Sequence, residues 1–271
     1  MRLTPLGPLP PLSGRRYDRI QNLCFVREAD STNELAKAVL ESMIEDDTEL
    51  LPTAFVASRQ TAGKGRSGRE WRTAPGGALA VSLVVPWPEG PSRVRLPLSV
   101  GVVVARGIAS LFGVPVRLKW PNDLLVGRRK LGGLLVEARV LPDGYGFAVI
   151  GIGVNVGATR AELEALGLPE ATSLREAGAR PGLLEGDAPL EALLSILDAA
   201  LSEAGDGLAE VPGLDAAFEE VTAHRPGDPI SVHDGTRRVS GTYGGVTADG
   251  FLRLLTPDGV ETVLSGDVVA F

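Results

Sequence analysis

Cysteine, histidine and aromatic residues are scarce in this chain of 271 residues. Cys24 is the one cysteine, so the chain cannot form an internal disulfide or a structural zinc site built from cysteines. His224 and His233 have no third ligand at metal-binding spacing, and no Ser-His-Asp or Cys-His arrangement indicates covalent hydrolysis. A lone thiol fits a reducing compartment, and we expect a cytoplasmic protein.

Long uninterrupted apolar runs are missing as well. The proline-rich residues 1–22 lack the apolar run of a secretory signal, and we expect them to form a leader outside the folded domains. The apolar segment 96–112 is broken by proline, serine, glycine and arginine, and it is predicted to fall short of a membrane span. The net charge of -7 opposes binding to nucleic acid and to anionic membranes.

The chain is long and apolar enough, at 44% hydrophobic residues, to bury one large core beside a small appended domain. An apolar stripe follows Ser31, which predicts a helix that starts there, and Ser31-x-x-Glu34 has the spacing of a capping box. Strands are predicted at 54–57, 79–85, 116–120, 131–140 and 146–156, the last two paired antiparallel through Asp143-Gly144, and helices at 190–201 and 214–221.

From His224 onward the chain has short apolar runs between glycine- and aspartate-rich turns, which indicates a small all-β unit. The predicted organisation is therefore a leader at 1–22, a catalytic α/β domain at 23–223 and a β domain at 224–271.

A glycine-rich polar loop, residues 60–71, carries three glycines and three cations. Backbone N–H groups at glycines and charged side chains bind phosphate or carboxylate, although a flexible solvated loop explains the same residues. Gly63, Gly65 and Gly68 also match G-x-G-x-x-G, which is typical of dinucleotide-binding oxidoreductases. A new strand follows within about ten residues, too few for the crossover helix of that fold.

Three further segments place polar residues at strand ends or inside apolar strands. Lys119-Trp120-Pro121-Asn122-Asp123 follows a strand, where its residues alone favour a plain turn over a functional site. Lys130 precedes two glycines inside a strand, which indicates a bulge or a close approach to the backbone. Asn155 lies in a buried strand, and the sequence fits a structural hydrogen-bond hub and a ligand contact equally well.

Taken in order, five of these segments resemble the biotin protein ligases: Ser-Thr-Asn before a helix, the glycine loop, Lys-Trp-Pro-Asn-Asp, Lys-Leu-x-Gly-x-Leu-x-Glu and Gly-x-Gly-x-Asn. The resemblance covers residues 31–155, and the β tail is similar in kind. It implies an α/β (α+β) fold, with a class II aminoacyl-tRNA synthetase-like catalytic core and a small C-terminal SH3-like β-barrel. It also implies ATP-dependent activation of biotin to biotinyl-5'-AMP, then transfer to a lysine of a biotin carboxyl carrier protein.

The same resemblance assigns roles to individual residues, with Lys130 and Arg66 as catalytic groups. Biotin is expected to contact Ser31, Thr32, Asn33, Gln60, Lys64, Gly65, Arg66, Lys130 and Gly133. ATP or the adenylate is expected to contact Arg69, Trp71, Lys119, Asn122, Asp123 and Asn155, with Mg²⁺ as the cofactor and its ligands unknown. Lys64 stands where many members have arginine, so a bidentate phosphate grip is not expected there. Ser67 stands where a basic residue is common, which is expected to weaken the hold of the loop.

Only thirty residues precede Ser31, several of them proline, so we expect a stand-alone ligase without the N-terminal DNA-binding domain that many members carry. We therefore expect no DNA and no membrane among its partners, and we leave a homodimer open. The alternatives are a lipoate protein ligase-like acyl ligase, a nucleic-acid-binding module that uses the basic loop and the barrel, and a dinucleotide-dependent oxidoreductase.

Overall fold

The structure is a computed structural model that describes residues 17–87, 92–142, 144–201 and 211–270. Residues 1–16 of the predicted leader and Asp143 of the predicted turn lie outside the described residues. The strands are β1 (Asn22–Ala29), β2 (Thr53–Gln60), β3 (Ala78–Pro86), β4 (Val116–Lys119), β5 (Asp123–Val126), β6 (Arg129–Val140), β7 (Gly146–Asn155), β8 (Pro229–His233), β9 (Arg238–Val246), β10 (Leu252–Thr256), β11 (Gly259–Val263) and β12 (Asp267–Ala270). The helices are α1 (Thr32–Glu45), α2 (Ser92–Phe112), α3 (Arg160–Ala165), α4 (Ala188–Ala200) and α5 (Leu214–Val221).

The larger sheet has seven strands in the order β1-β2-β3-β7-β6-β5-β4. Only β1 and β2 pair in parallel, and the other neighbours are antiparallel, including the predicted pair β6 and β7. The glycine loop joins β2 to β3, which are antiparallel neighbours, so no crossover helix follows it and the dinucleotide-binding arrangement is absent there.

Helices cover both faces of this sheet. Successive residues of a strand point to opposite sides, so each face has its own apolar side chains for a helix to pack against. Phe55 packs with Leu35 and Leu40 of α1 in a small core on one face, whereas its neighbours Ala54 and Val56 belong to the main core on the other. The main core is shared with α2, α4 and α5. Helix α1 therefore lies on the face opposite to the main core.

Helix α2 is the apolar segment that was predicted to be too interrupted to span a membrane. By length and composition alone that prediction is wrong, because Arg93–Phe112 is long and apolar enough to cross a bilayer. Half of its most apolar window is buried against the main core, where Leu96, Val104 and Ile108 pack. A core helix passes the same test of length and composition, and the packing explains why this one is apolar.

The C-terminal unit is a five-stranded antiparallel sheet in the order β11-β10-β9-β8-β12, as its turn-rich sequence predicts. Its inward side chains, among them Tyr243, join the main core beside Phe218 of α5. Trp120 Nε1 donates to the Gly250 carbonyl oxygen at 3.0 Å, and Arg95 pairs with Asp249 at 3.1 Å. These contacts hold the small sheet against the core next to the end of β4.

Three elements were missed in the sequence. Strand β1 lacks a regular alternation of buried and exposed residues, and β5 is only four residues long. Helix α3 has six residues, yet Thr159 and Glu162 form a complete capping box at its start, so its signal was present.

Candidate active site

A cavity lies under the glycine loop, over strands β3, β7 and β6. Every residue predicted to contact biotin lines it: Ser31, Thr32, Asn33, Gln60, Lys64, Gly65, Arg66, Lys130 and Gly133. Arg69, Trp71 and Asn122 of the predicted nucleotide set line it as well. The fold therefore brings segments from four parts of the chain to one place.

At one end of the cavity is the N-terminus of α1. Ser31 is the N-cap residue by position, but its side chain makes no capping hydrogen bond, so the predicted capping box is wrong. The Gln60 side-chain oxygen caps the helix instead, accepting from Thr32 N at 2.7 Å. Gln60 is placed at the end of β2, which brings it against the helix, and this leaves the Ser31 hydroxyl available on the cavity wall.

The cavity floor is a buried polar network centred on Asn33. Its Oδ1 accepts from the Ser82 hydroxyl at 2.6 Å, and its Nδ2 donates to Glu137 Oε2 at 2.8 Å and to the Leu135 carbonyl at 3.3 Å. Ser82, which is fully buried, also lies 2.8 Å from Thr32 Oγ1. Ser82 and Glu137 were missed as site residues, although a serine inside an apolar strand was a visible signal.

Two glycines of β7 make room for side chains that stand on the sheet. A Cβ atom at Gly151 would lie 2.2 Å from Asn33 Oδ1, and one at Gly153 would lie 2.7 Å from Trp71 Cε2. No side chain can occupy either position without displacing its neighbour. The glycines therefore let Asn33 and the Trp71 indole pack directly against the strand.

The glycine loop forms a hairpin. Lys64 and Glu70 form an antiparallel bridge, Gly65 N donates to the Arg69 carbonyl at 2.7 Å, and Trp71 N donates to the Gly63 carbonyl at 2.8 Å. Lys64 also pairs with Glu34 of α1 at 2.9 Å, which ties the loop to the other end of the cavity.

Arg66 extends from the tip of this loop toward the turn between β4 and β5. Its Nη1 lies 3.4 Å from Asn122 Oδ1, and Asn122 is held by a 2.8 Å hydrogen bond from its Nδ2 to the Leu134 carbonyl. Burial lowers the pKa of Arg66, while the nearby Asp267 opposes that shift, and an arginine side chain stays charged in either case. Arg66 therefore presents a fixed positive charge at the cavity.

Lys130 and Asp123 form the other charged group at this end. Lys130 Nζ lies 2.5 Å from Asp123 Oδ1, and Lys119 Nζ lies 3.8 Å from Asp123 Oδ2. Burial lowers the pKa of Lys119, an effect that Asp123 opposes and Lys130 reinforces. Residues 119–123 form the turn that joins β4 to β5, and it includes a cis Trp120-Pro121 bond. The same segment carries Asp123, the carboxylate that orients Lys130.

The two interpretations of the glycines after Lys130 both hold. The β5–β6 register shifts between Leu124 and Leu125, which is a bulge, and a Cβ at Gly132 would lie 2.3 Å from the Gly153 carbonyl oxygen. At Gly133, by contrast, the atom nearest to an added Cβ would be 3.5 Å away, which is an ordinary contact distance, and this glycine lines the cavity.

Comparison with known proteins bears on both parts of the chain. Residues 26–155 match the biotin/lipoate A/B protein ligase family, and residues 226–270 match the C-terminal domain of biotin protein ligases. Both parts of the chain are therefore similar to biotin protein ligases. The matched ranges include the whole cavity and the five-stranded C-terminal sheet.

Individual members of the family show how far the similarity extends. The bifunctional ligase/repressor BirA of Salmonella typhimurium is 35% identical over 158 residues, which are 58% of this chain and 47% of that protein. The biotin--[acetyl-CoA-carboxylase] ligase of Paracoccus denitrificans is 29% identical over 80% of this chain and 90% of its own length. The chain therefore spans about half, or less, of the bifunctional relatives and most of the Paracoccus ligase.

Among solved structures, the biotin protein ligase from Aquifex aeolicus in complex with biotin and ATP superposes with a TM-score of 0.68. It is 27% identical, and the match covers 92% of this chain and 98% of that one. The mixed α/β core and the C-terminal sheet are thus a shared architecture of this family.

Three residues of the predicted nucleotide set do not line the cavity: Lys119, Asp123 and Asn155. Asp123 pairs with Lys130, which lines the cavity, and Lys119 pairs with the other oxygen of Asp123. Asn155 is buried, and its Nδ2 donates to the Thr172 carbonyl oxygen at 3.0 Å. His224 and His233 both lie near or within the C-terminal sheet, and no cluster of three or more potential metal-ligating side chains occurs among the described residues.

Proposed function

We propose that this chain is a biotin protein ligase that uses ATP to activate biotin and transfers it to a lysine of a biotin carboxyl carrier protein. In the first step a biotin carboxylate oxygen attacks the α-phosphorus of ATP, and the bond to pyrophosphate breaks. In the second step the lysine amine attacks the carbonyl carbon of biotinyl-5'-AMP, and AMP leaves.

One observation carries the proposal: a single cavity joins uncharged polar groups at the start of α1 to the cations Arg66 and Lys130. Gln60 belongs to β2 and Lys130 to β6, with β3 and β7 between them in the sheet. Strands are about 4.8 Å apart, so the cavity extends across roughly 14 Å. Such a site fits an extended acyl substrate whose head is polar and neutral and whose tail ends in a carboxylate.

The neutral end supplies hydrogen-bonding groups suited to a cyclic urea. Gln60 uses its oxygen to cap α1, so its Nε2 remains to donate, and the hydroxyls of Ser31 and Thr32 donate or accept. Ala80 and Ile152 add apolar wall between these groups. A ureido ring, with its two N–H groups and one carbonyl, matches this set.

The charged end supplies electrostatic stabilisation for attack at phosphorus. Lys130 is held at 2.5 Å from Asp123, so its charge is in place before the reaction begins. Arg66 is held in the same region by the contact of its Nη1 with Asn122 Oδ1. Together they offset the negative charge that develops on the phosphoryl oxygens in the transition state.

Magnesium fits this site as an ion that arrives with the nucleotide. Mg²⁺ commonly uses one or two carboxylates together with substrate phosphates and water. Asp123 is the carboxylate beside Lys130 and would hold the ion from the protein side. When bound, the ion would neutralise phosphate charge, and Lys119 behind it would add to that effect.

The hairpin formed by the glycine loop also suits the chemistry of the intermediate. An acyl adenylate is destroyed by water, and a loop that closes over the cavity excludes water until the acceptor lysine arrives.

The fold supports the same proposal. We infer that the core is of the class II aminoacyl-tRNA synthetase type, and that the C-terminal sheet is an SH3-like barrel because β12 returns to pair with β8 after the β8–β11 meander.

The decisive experiment is incubation of the chain with ATP, Mg²⁺, biotin and a carrier domain, followed by mass spectrometry of the carrier. We expect a mass gain of one biotinyl group on one lysine, dependent on ATP. Replacing the acceptor lysine in the carrier provides the matched control. A carrier that stays unmodified, with no pyrophosphate released, would contradict the proposal.

Lipoate is the second candidate substrate, because the matched family includes lipoate ligases. A parallel reaction with lipoate and a lipoyl domain separates the two. The polar groups around Ser31 and Gln60 favour biotin, since the apolar dithiolane ring of lipoate would leave them without partners.

A further inference from the structure

The glycine loop contacts the C-terminal unit at Ser265, in the turn between β11 and β12, and at Asp267, the first residue of β12. Arg69 Nη2 lies 2.6 Å from Asp267 Oδ1, and the Ser67 hydroxyl lies 3.4 Å from Asp267 Oδ2. Arg66 Nη2 lies 3.3 Å from the Ser265 hydroxyl. Three residues of the loop tip therefore have partners that follow them in sequence by about two hundred positions.

These contacts hold a turn that is unfavourable by itself. Ser67 has φ 55° and ψ 34°, which is the left-handed region that is unfavourable for a residue with a side chain. Inside the loop the turn is closed by backbone hydrogen bonds such as Arg69 N to the Arg66 carbonyl at 3.1 Å. Asp267 adds contacts on both sides of the strained residue, to Ser67 itself and to Arg69.

Asp267 is in turn fixed by its own sheet. It pairs with His233 in the β12–β8 ladder. The preceding Gly266 passes so close to β8 that a Cβ there would lie 2.7 Å from the His233 carbonyl oxygen. The carboxylate is thus presented from a rigid strand rather than from a loose end.

We propose that Asp267 is a positioning residue that latches the glycine loop in its closed conformation, with Arg66 over the cavity. Asp267 acts through Arg69 and Ser67 and does not itself contact the substrates. The expected effect on catalysis is that the closed loop retains the adenylate, and this effect rests on the proposed function. The contact between loop and sheet is independent of it.

A second interdomain ion pair provides the matched control. Arg95 and Asp249 join α2 to the C-terminal unit at 3.1 Å, and both side chains are partly exposed, as are those of Arg69 and Asp267. If the latch is specific, Asp249→Asn leaves the loop unaffected while Asp267→Asn does not.

The first test is amide hydrogen exchange of the full chain without ligand. We expect exchange in residues 64–70 to rise about fivefold in Asp267→Asn, to rise less in Asp267→Glu, which keeps the charge, and to stay unchanged in Asp249→Asn. Unchanged exchange in Asp267→Asn, or an equal rise in Asp249→Asn, would overturn the latch.

The second test measures dissociation of biotinyl-5'-AMP from the enzyme. We expect it to be about fivefold faster in Asp267→Asn, with an unfolding midpoint within about 2 °C of the parent chain, and partly restored in Asp267→Glu. Equal dissociation rates in all variants would refute the catalytic consequence. A parent chain that forms no adenylate would refute the proposed function, while the exchange experiment would still decide the latch.

Discussion

Gly151 of β7 tests the site with the smallest substitution, one methyl group. In Gly151→Ala the new Cβ would lie 2.2 Å from Asn33 Oδ1 and 2.9 Å from Asn33 Cγ. Asn33 cannot move away freely, because its amide is held by Ser82 and Glu137. The substitution therefore must break part of the network on the cavity floor.

The magnitude follows from the bonds that would be lost. The hydrogen bond to the Ser82 hydroxyl contributes about 1 kcal/mol and the one to the Glu137 carboxylate about 2 kcal/mol. Alanine is favoured over glycine in a strand by roughly 0.5–1 kcal/mol. We expect Gly151→Ala to lower the free energy of unfolding by about 2 kcal/mol, measured by urea denaturation. Biotin affinity, measured by calorimetry, should fall about tenfold or more, because Asn33 and Thr32 line the cavity.

Two controls isolate the clash. Gly182→Ala places a methyl group in open space without a positive φ, so it should change stability by less than about 0.5 kcal/mol. In an Asn33→Ala background the cost of Gly151→Ala should nearly vanish, since the atoms it would strike are gone. If Gly151→Ala keeps full stability and biotin affinity, or costs the same in both backgrounds, the account of the cavity floor is wrong.

Three further outcomes can be measured on the same protein. Lys130→Ala should slow adenylate formation about 100-fold or more by pyrophosphate release, because it removes a preorganised charge, and a near-normal rate would refute that role. Arg66→Gly should open the loop and release the adenylate, so bystander lysines become biotinylated, and labelling confined to the carrier would count against the lid. Burial lowers the pKa of His224 to about 4. The unfolded chain therefore gains a proton first, and stability should fall by up to about 3 kcal/mol as the pH drops from about 6.5 to 4 and level off below. His224→Gln should lose that component in urea titrations at several pH values, and an unchanged pH profile would exclude it.

The sequence by itself determined the local structure and the identity of the charged groups. Apolar periodicity predicted α1, the β6–β7 pair and the C-terminal β unit, because burial repeats along a strand or helix with its own period. The glycine loop was recognisable as anion-binding chemistry from its glycines and cations, whereas the role expected for Lys130 came from the resemblance to biotin protein ligases. Their residue types carry the chemistry wherever the chain places them.

Only the tertiary structure decided which groups meet. Ser31-x-x-Glu34 and Thr159-x-x-Glu162 have the same capping pattern, yet only the second is a capping box. At the first site Gln60, from the end of β2, accepts from Thr32 N, and Ser31 makes no side-chain capping hydrogen bond. A local sequence pattern predicts which hydrogen bonds a residue can form, but it does not predict which residue from a distant part of the chain will be its partner.

The same limit explains Ser82 and Asp267. Ser82 reaches Asn33 because α1 packs over β3, and Asp267 reaches Arg69 because the C-terminal sheet is fixed against the core beside the loop. Both contacts depend on strand order and on the packing of separate layers, which involve residues far apart in the chain. Local periodicity contains no information about such pairings, so the floor of the cavity and the latch on its loop could be found only in the folded protein.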